Sequence, residues 1–337
     1  MKSVVVVVLS WNKQAAVIEC IDRVKTLTGA AIHVVVVDNA SADDSVDAIR
    51  RAHPDVTVLT EPVNRGYAGG VNRGLAEAAS RNADYAWLLN DDTSFDSDVL
   101  EPLLDYAEAH PRCGLMTPLL VDLGPDAAVQ FVNAMVDWRR GTMGHNFSAR
   151  VFAARITEGA TSIVVGTALL VDLKLYRTIG PFDERLFAYW EDTDYAVRAA
   201  RNGFDNAVVT SSRMAHAAPP PTGRPPHYHY YMTRNEALFW TLHAPKATRW
   251  RRRWFVAALD SIGRQRDLDH PANVEAILDG VWHAWTHRYG ARATESLAPR
   301  WFHRLMSASP YLWSSLLQGE WLDVVKRALR IKERAGP

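Results

Sequence analysis

The chain reads as an α/β protein, a mostly parallel sheet flanked by helices and followed by a C-terminal helical extension. Three observations predict this. Runs of β-branched residues alternate with segments whose apolar residues recur every three or four positions, the rhythm of βαβ units with right-handed crossovers. Each run stops on a polar cluster, as parallel strands do at the edge where ligands gather. From Lys246 onward the composition shifts to Trp, Leu and Arg at helical spacing.

Taken in order, residues 4–8 form a first strand of valines that passes through Leu9 to Ser10, Trp11 and Asn12. Ala15, Ala16, Ile18, Ile21 and Val24 then share one helical face. Residues 32–37 repeat the event, ending on Asp38, Asn39, Ala40 and Ser41 before a helix over 43–51. A short strand over 56–59, a helix over 69–79 and a fourth strand over 85–89 follow. The fourth is apolar on both faces and stops on Asn90, Asp91 and Asp92. The pattern loosens through 137–141, a hairpin or a mobile loop. Residues 162–171 read as one buried strand in which Gly166 leaves space for a ligand. Ala196, Val197, Ala199 and Ala200 mark a helix closed near Asn202 and Gly203 by a left-handed cap. A strand over 208–210 leads to His216, in a loop before the prolines at 219–221.

With 337 residues, 48% hydrophobic and 23% charged, the chain has room for one large or two ordinary domains of a soluble protein. A formal net charge of zero removes the electrostatic case for nucleic acid. Cys20 and Cys113 share no ligand spacing with each other or with His, which fits a reducing cytoplasm rather than a zinc site. The N-terminal apolar run is too short for a signal sequence, and no run approaches the ~20 residues that cross a bilayer. The expected location is cytoplasmic, with peripheral attachment to the inner face of the membrane left open.

Several side chains are candidates for chemistry. Asp91 and Asp92 repel each other at the mouth of a buried strand, which suits a hard divalent cation; the alternative is a solvated loop that caps the next helix. Asp38 can accept from a pyrimidine N–H or a ribose hydroxyl, or cap the next helix together with Ser41. The segment from Asn64 to Gly74 is dense in glycine, letting backbone approach a ligand, but it is not the Gly-x-Gly-x-x-Gly that a nicotinamide enzyme carries after its first strand. Glu191, Asp192 and Asp194 open a helix whose dipole favours ionised carboxylates, as a general base requires; helix capping is the plainer reading. His216 trails these acids by one strand and is either a nitrogen ligand to a metal or an exposed loop residue. Tyr231 and Arg234 follow the prolines, where Arg234 suits a diphosphate or an acceptor phosphate unless the segment is a core helix. The Trp- and Arg-rich tail, with Trp282, Trp285, Trp301, Trp313 and Trp321, fits membrane contact, packing of a helical subdomain or a homodimer contact.

Five ordered blocks carry a family resemblance: Leu9-Ser10-Trp11-Asn12, Val37-Asp38-Asn39-Ala40-Ser41, the run from Asn64 to Asn72, Leu89-Asn90-Asp91-Asp92, and Phe182-Asp183-Glu184 followed by Trp190-Glu191-Asp192-Thr193-Asp194. In these the chain resembles the family-2 inverting glycosyltransferases of GT-A fold, in particular their rhamnosyltransferase-like branch, from Val4 to about Asn235. The resemblance implies a glycosyltransferase domain over 1–240, with a nucleotide-sugar half (1–120) and an acceptor half (121–240), ahead of a helical subdomain over 241–337. It implies that Ser10, Asn12, Asp38, Asn39, Asn64, Gly66, Gly69, Gly70, Asn72, Asn90, Asp91 and Gly166 line the donor site. Asp92 and His216 are expected to hold Mg2+ or Mn2+, Asp192 to act as base with Glu191 beside it, and Trp190, Tyr231 and Arg234 to meet the acceptor or its phosphate. Asn90 stands where many relatives carry the first Asp of Asp-x-Asp, which shifts metal binding toward Asp92 and His216. The implied reaction moves a sugar, L-rhamnose from dTDP-rhamnose, to a carbohydrate, lipid-linked or small-molecule acceptor. A nucleotidyltransferase is disfavoured by the lack of a basic glycine-rich loop after the first strand, and a catalytically silent sugar-nucleotide binder stays open.

Overall fold

The computed structural model describes residues 1–123, 127–131, 133–139, 141–146, 161–217, 223–246, 249–293 and 297–318. In chain order the elements are β1 (Ser3–Ser10), α1 (Gln14–Val24), β2 (Ala31–Asp38), α2 (Ser45–Ala52), β3 (Thr57–Thr60), α3 (Gly66–Ser80), β4 (Tyr85–Asn90), β5 (Thr93–Ser94), α4 (Glu101–Ala109) and β6 (Cys113–Asp122). There follow β7 (Val129–Phe131), β8 (Asn133–Asp137), β9 (Thr142–Asn146), β10 (Thr161–Ile163), β11 (Ala168–Asp172), α5 (Leu173–Ile179), α6 (Glu191–Arg201) and β12 (Asp205–His216). Five helices close the described chain: α7 (Pro226–His243), α8 (Trp250–Asp267), α9 (Pro271–Trp285), α10 (Arg300–Ala308) and α11 (Pro310–Gln318).

Val4 to Val8 in β1 are all at most 1% exposed, and each buried valine side chain is worth about 1.5–3 kcal/mol, which suits β1 to an interior place in the sheet, between β2 and β4. The strand order is β3-β2-β1-β4-β11-β6-β12-β5, with β7 on β6. The first four strands are parallel, as their alternation with helices predicts; β11 runs against both β4 and β6, while β6 and β12 are parallel again. Register aligns Ser10 with Asp38 and Leu9 with Asn90, so the three polar strand ends share one edge.

Two local expectations are corrected. The strand expected over 162–171 is two: β10 pairs with β8 in a separate three-stranded sheet, β11 joins the main one, and Gly166 lies in the turn between them. His216 is not in a loop but ends β12, paired with Thr93 of β5 and Asp122 of β6. The segment around 137–141 is the hairpin alternative, joining β8 to β9. The prolines at 219–221 and Trp321 lie outside the described residues, apart from which the chain separates into two compact units. One comprises residues 1–138 and 142–220, the other 139–141 and 221–337. The division expected at 240 falls inside α7.

In the second unit α7 and α9 pack backbone to backbone, since a Cβ on Gly280 would lie 2.8 Å from the Tyr230 carbonyl oxygen. Asp279, 1% exposed, is neutralised by Arg292 at 2.6 Å and accepts from the Ala298 amide at 2.9 Å, which a buried carboxylate requires. Among the described residues no helix is long and apolar enough to cross a membrane.

Candidate active site

Asp91 and Asp92 leave the end of β4 beside β1, and a residue three positions past β1 reaches them. Lys13 Nζ lies 3.0 Å from Asp91 Oδ1 and 3.2 Å from Asp92 Oδ2. Burial drives the Asp91 carboxyl above its usual range against the pull of Lys13, while Asp92 is held down to about 2, first by His216 and then by Lys13 against its own burial. Burial works against the charge on Lys13, but the two carboxylates outweigh it and hold the ammonium protonated.

The β12–β5 pairing brings His216 Nε2 to 3.3 Å from Asp92 Oδ1. The other ring nitrogen, Nδ1, is 3.1 Å from Gln130 Oε1, whose own amide nitrogen donates to Asp122 Oδ1 at 2.7 Å and to the His216 carbonyl at 2.9 Å. That network makes Nδ1 the donor and leaves Nε2 facing a carboxylate oxygen. Two acceptors face each other stably only with a positive charge between them, a proton on Nε2 or a cation. The 3.3 Å gap is close to the ~3 Å between adjacent ligands of an octahedral site with bonds near ~2.1 Å. The pair therefore fits a divalent cation. Among the described residues no group of three or more His, Cys, Asp or Glu side chains converges on one point, so other ligands would have to come from diphosphate and water.

On the nucleotide side, Asp38 is 3% exposed; its Oδ2 accepts from the Ser41 amide at 3.1 Å, and among the described residues its Oδ1 is buried without a donor. Ser10, opposite it in register, also has a buried hydroxyl without a partner. The cap expected of Asp38 and Ser41 is corrected, since α2 begins at Ser45 with Asp44 as its N-cap residue; one Asp38 oxygen holds its own loop and the other awaits an N–H or O–H.

The asparagines and glycines expected around the donor do different work. Asn39 spends its amide on the Gly66 carbonyl (2.9 Å) and the Arg65 amide (2.9 Å). Asn72 spends its own on the Phe182 amide (2.8 Å), the Phe182 carbonyl (3.0 Å) and Glu184 (3.1 Å). Asn12 and Asn64 accept from the Ala42 and Gly66 amides at 2.7 and 2.8 Å. A Cβ on Gly66 would lie 2.3 Å from the Phe187 carbonyl oxygen, one on Gly69 2.5 Å from Arg65 Cβ and one on Gly70 2.3 Å from Leu9 Cδ1. The glycine-rich segment is therefore a packing joint that docks α3 on β1 and on residues 182–188, not an open cradle for a ligand.

What that joint supports is the acidic helix. Phe187, Tyr189 and Trp190 all have left-handed φ, from 63° to 72°, conformations that cost about 1–3 kcal/mol each and persist only when neighbours enforce them. The Ala68 amide donates to the Phe187 carbonyl at 3.0 Å, and Arg65 grips Glu184 with Nη2 at 2.7 and 2.9 Å from its two oxygens. Asp192 then opens α6, its Oδ1 accepting from the Thr193 amide at 2.6 Å and its Oδ2 from the Gly166 amide at 3.0 Å. Gly166 precedes Thr167, whose carbonyl accepts from the Asn90 amide at 3.0 Å. One short path of backbone joins the acids after β4 to the acid of α6.

Five expected site residues are corrected. Glu191 is 5% exposed, and burial, then Asp192, drive its carboxyl well above its usual range, which disfavours the ionised form that a base requires. Trp190 is 6% exposed, which leaves no open ring face for an acceptor. Arg234 is fully buried in the second unit, over the rings of Tyr230 and Tyr231 at 5.3 and 4.9 Å, with Nη1 donating to the Gly290 carbonyl at 2.6 Å. Tyr231 accepts from the Arg292 amide at 2.9 Å in the same core. Gly166 leaves no space for a ligand either: Tyr67 fills it, with its hydroxyl 2.9 Å from where a Cβ would stand.

The sequence reading missed Lys13 and Tyr67. Lys13 had a signal, a cation three residues past the strand that neighbours the acid-bearing one. Tyr67 had none, being hidden among glycines.

Comparison with known proteins now decides the family. A family model described as "Glycosyl transferase family group 2" matches residues 86–326, and "Glycosyl transferase family 2" matches residues 5–127. The chain is a family-2 glycosyltransferase, and so a transferase. This glycosyltransferase is 29% identical over 222 residues to the N-acetylglucosaminyl-diphospho-decaprenol L-rhamnosyltransferase of Mycobacterium tuberculosis, covering 60% of this chain and 72% of that one. It is 28% identical over 224 residues to the galactofuranosyltransferase GlfT1 of the same organism, covering 64% and 70%. In fold it is similar to the mannosyltransferase PcManGT from Pyrobaculum calidifontis, solved with GDP-Man and Mn2+, with a TM-score of 0.53 and 17% identity over 98% of this chain and 89% of that one. GalNAc-T7, solved with UDP, GalNAc and Mn2+, gives a TM-score of 0.59 at 12% identity over 86% and 58%. The GT-A fold and the rhamnosyltransferase-like character that the sequence motifs imply are both upheld.

Proposed function

We propose that the enzyme transfers L-rhamnose, with inversion, from dTDP-L-rhamnose to a lipid-linked glycan acceptor, using Mg2+ or Mn2+. The observation that carries the reading is the backbone path Asn90–Thr167–Gly166–Asp192, which brings a cation-seating pair and an oriented carboxylate to one edge of one sheet. The choice of L-rhamnose and of a lipid-linked acceptor is supported by the Mycobacterium tuberculosis relative named an N-acetylglucosaminyl-diphospho-decaprenol L-rhamnosyltransferase.

Asp92 and His216 would hold the cation, which when bound offsets the charge developing on the leaving nucleoside diphosphate. Asp38 and Ser10 bind the nucleoside through their unsatisfied buried oxygens. Asp192 takes the proton of the acceptor hydroxyl as that oxygen attacks the anomeric carbon from the face opposite the diphosphate. Incubation with dTDP-L-rhamnose, UDP-galactofuranose and GDP-mannose in Mn2+, with and without a polyprenyl-diphosphate-linked acceptor, tests the reading. Acceptor-dependent release of dTDP is expected; release from neither dTDP-rhamnose nor any other donor would leave a silent nucleotide binder.

The second unit supports peripheral contact with an anionic membrane, where a lipid-linked acceptor resides. Residues 221–337 hold 18 Lys and Arg against 10 Asp and Glu, so the neutral chain divides into a basic C-terminal part and an acidic remainder. Lys246, Arg249, Arg251 and Arg252 border a cleft of about 460 Å³ at the start of α8, where the helix dipole already favours anions and the first turn has no acid. Further along the same unit, α10 exposes Trp301 and Leu305 on one face with Arg300 and Arg304.

A further inference from the structure

The geometry points to Tyr67 as a positioning residue for the base: through the peptide of Gly166 it fixes the direction in which the Asp192 carboxylate meets the acceptor hydroxyl. This rests on the reading of Asp192 as base. Tyr67 is the second residue of α3, and its hydroxyl donates a short hydrogen bond to the Gly166 carbonyl oxygen. The amide of that same residue donates to Asp192 Oδ2 at 3.0 Å. Between carbonyl and amide lie only the two torsions of one glycine, the residue least able to hold them unaided. Anchoring the carbonyl therefore aims the N–H.

The neighbouring peptide is pinned from the other side, by the Asn90 amide on the Thr167 carbonyl at 3.0 Å. Gly166 is thus clamped between the strand that carries the acids and a phenol that projects from the glycine-rich joint. Burial pushes the phenol well above its usual range, so it stays a neutral O–H donor. Among the described residues that hydroxyl has one hydrogen-bond partner, the Gly166 carbonyl. A phenylalanine would fill the same space and lose only this bond. The sequence block that looks built for the donor would then act on the acceptor step instead.

Base catalysis is sensitive to such aim, since a displacement of about 1 Å can cost up to ~100-fold. The test is Tyr67→Phe, with kcat measured at saturating donor and acceptor and dTDP affinity measured by calorimetry. We expect kcat to fall about 10-fold with dTDP affinity unchanged. The same substitution made in Asp192→Asn should cost nothing further, because there is no base left to aim. Equal losses in both backgrounds, an unchanged kcat, or a matching loss of dTDP affinity would each overturn the role. If Tyr67→Phe fails to fold, Gly166→Ala serves, since its Cβ would press to 2.9 Å of the Tyr67 oxygen and displace the same peptide; the same signature is expected. Full turnover in Asp192→Asn alone would remove the base assignment, and the positioning role with it.

Discussion

Lys13 Nζ stands 3.0 Å from Asp91 Oδ1, closing a contact between the N-cap residue of α1, three positions past β1, and the residue after β4. Asp91 is 8% exposed and Asp92 follows it directly, so two carboxylates share one small volume with an ammonium between them. Lys13 thus supplies from within the chain part of the positive charge that a metal would bring. A Lys13→Met variant should therefore melt lower than the parent in EDTA and gain more from Mn2+. The check is the rise in Tm on adding Mn2+ without nucleotide; equal rises in the two proteins would show that the ammonium and the metal do not compete.

Asp192→Asn keeps the shape of the side chain and its acceptor oxygen but removes the site for a proton. Turnover should fall by roughly 100-fold or more while dTDP binding is retained, the scale of one general base. Steady-state kinetics beside calorimetry separates the two. Near-normal turnover would take Asp192 out of the mechanism.

His216→Ala should weaken Mn2+ binding and leave Gln130 without its imidazole partner at 3.1 Å. Groups that hydrogen-bond the far ring nitrogen of a metal-bound histidine are commonly worth about 10–100-fold in affinity, so Gln130→Ala should weaken Mn2+ binding by about 10-fold. Electron paramagnetic resonance of free Mn2+ in the presence of dTDP measures both. Unchanged binding in His216→Ala would end its assignment as a ligand.

The parallel half of the sheet was legible because valine runs and helical faces alternate cleanly, and the strand-end rule put Ser10, Asp38 and Asn90 on one edge before any coordinates. Asp92 and His216 meet, but the reason was hidden: Thr93 and His216 are paired edge residues of β5 and β12, a pairing two residues long. The glycine-rich segment misled because glycine beside a ligand and glycine beside another backbone have the same spelling. The Phe187 carbonyl against Gly66, with Arg65 against Gly69 and Leu9 against Gly70, distinguishes them. Arg234 misled for a related reason, since an arginine among tyrosines describes both a phosphate clamp and a buried cation over aromatic rings.

The basic cleft at the start of α8 predicts binding to anionic lipid. The intact protein should float with vesicles of phosphatidylglycerol and not with vesicles of phosphatidylcholine, and salt should release it, since exposed charges are screened within ~10 Å at 0.1 M. Arg251→Glu with Arg252→Glu should abolish flotation while leaving turnover on a soluble acceptor unchanged. Flotation that persists in this double variant would place the contact elsewhere.

Glu236 gives the second unit a pH dependence with a definite sign. Burial pushes its carboxyl from 4.5 up to about 7, partly opposed by the Trp240 indole N–H at 3.4 Å. Below about pH 4 the folded and unfolded chains both carry this proton, so the shift has no effect on stability there. As pH rises from 4.5 toward 7 the unfolded chain releases the proton and the folded one retains it, so stability falls through that window and levels off above it. Glu236→Gln keeps the size and the acceptor oxygen but removes the titration. It should therefore raise stability at pH 8 by up to about 3 kcal/mol and leave stability at pH 4 nearly unchanged. Thermal or urea unfolding of the intact protein at the two pH values measures this. A gain of equal size at both would mean that packing of the amide, and not the proton, sets the difference.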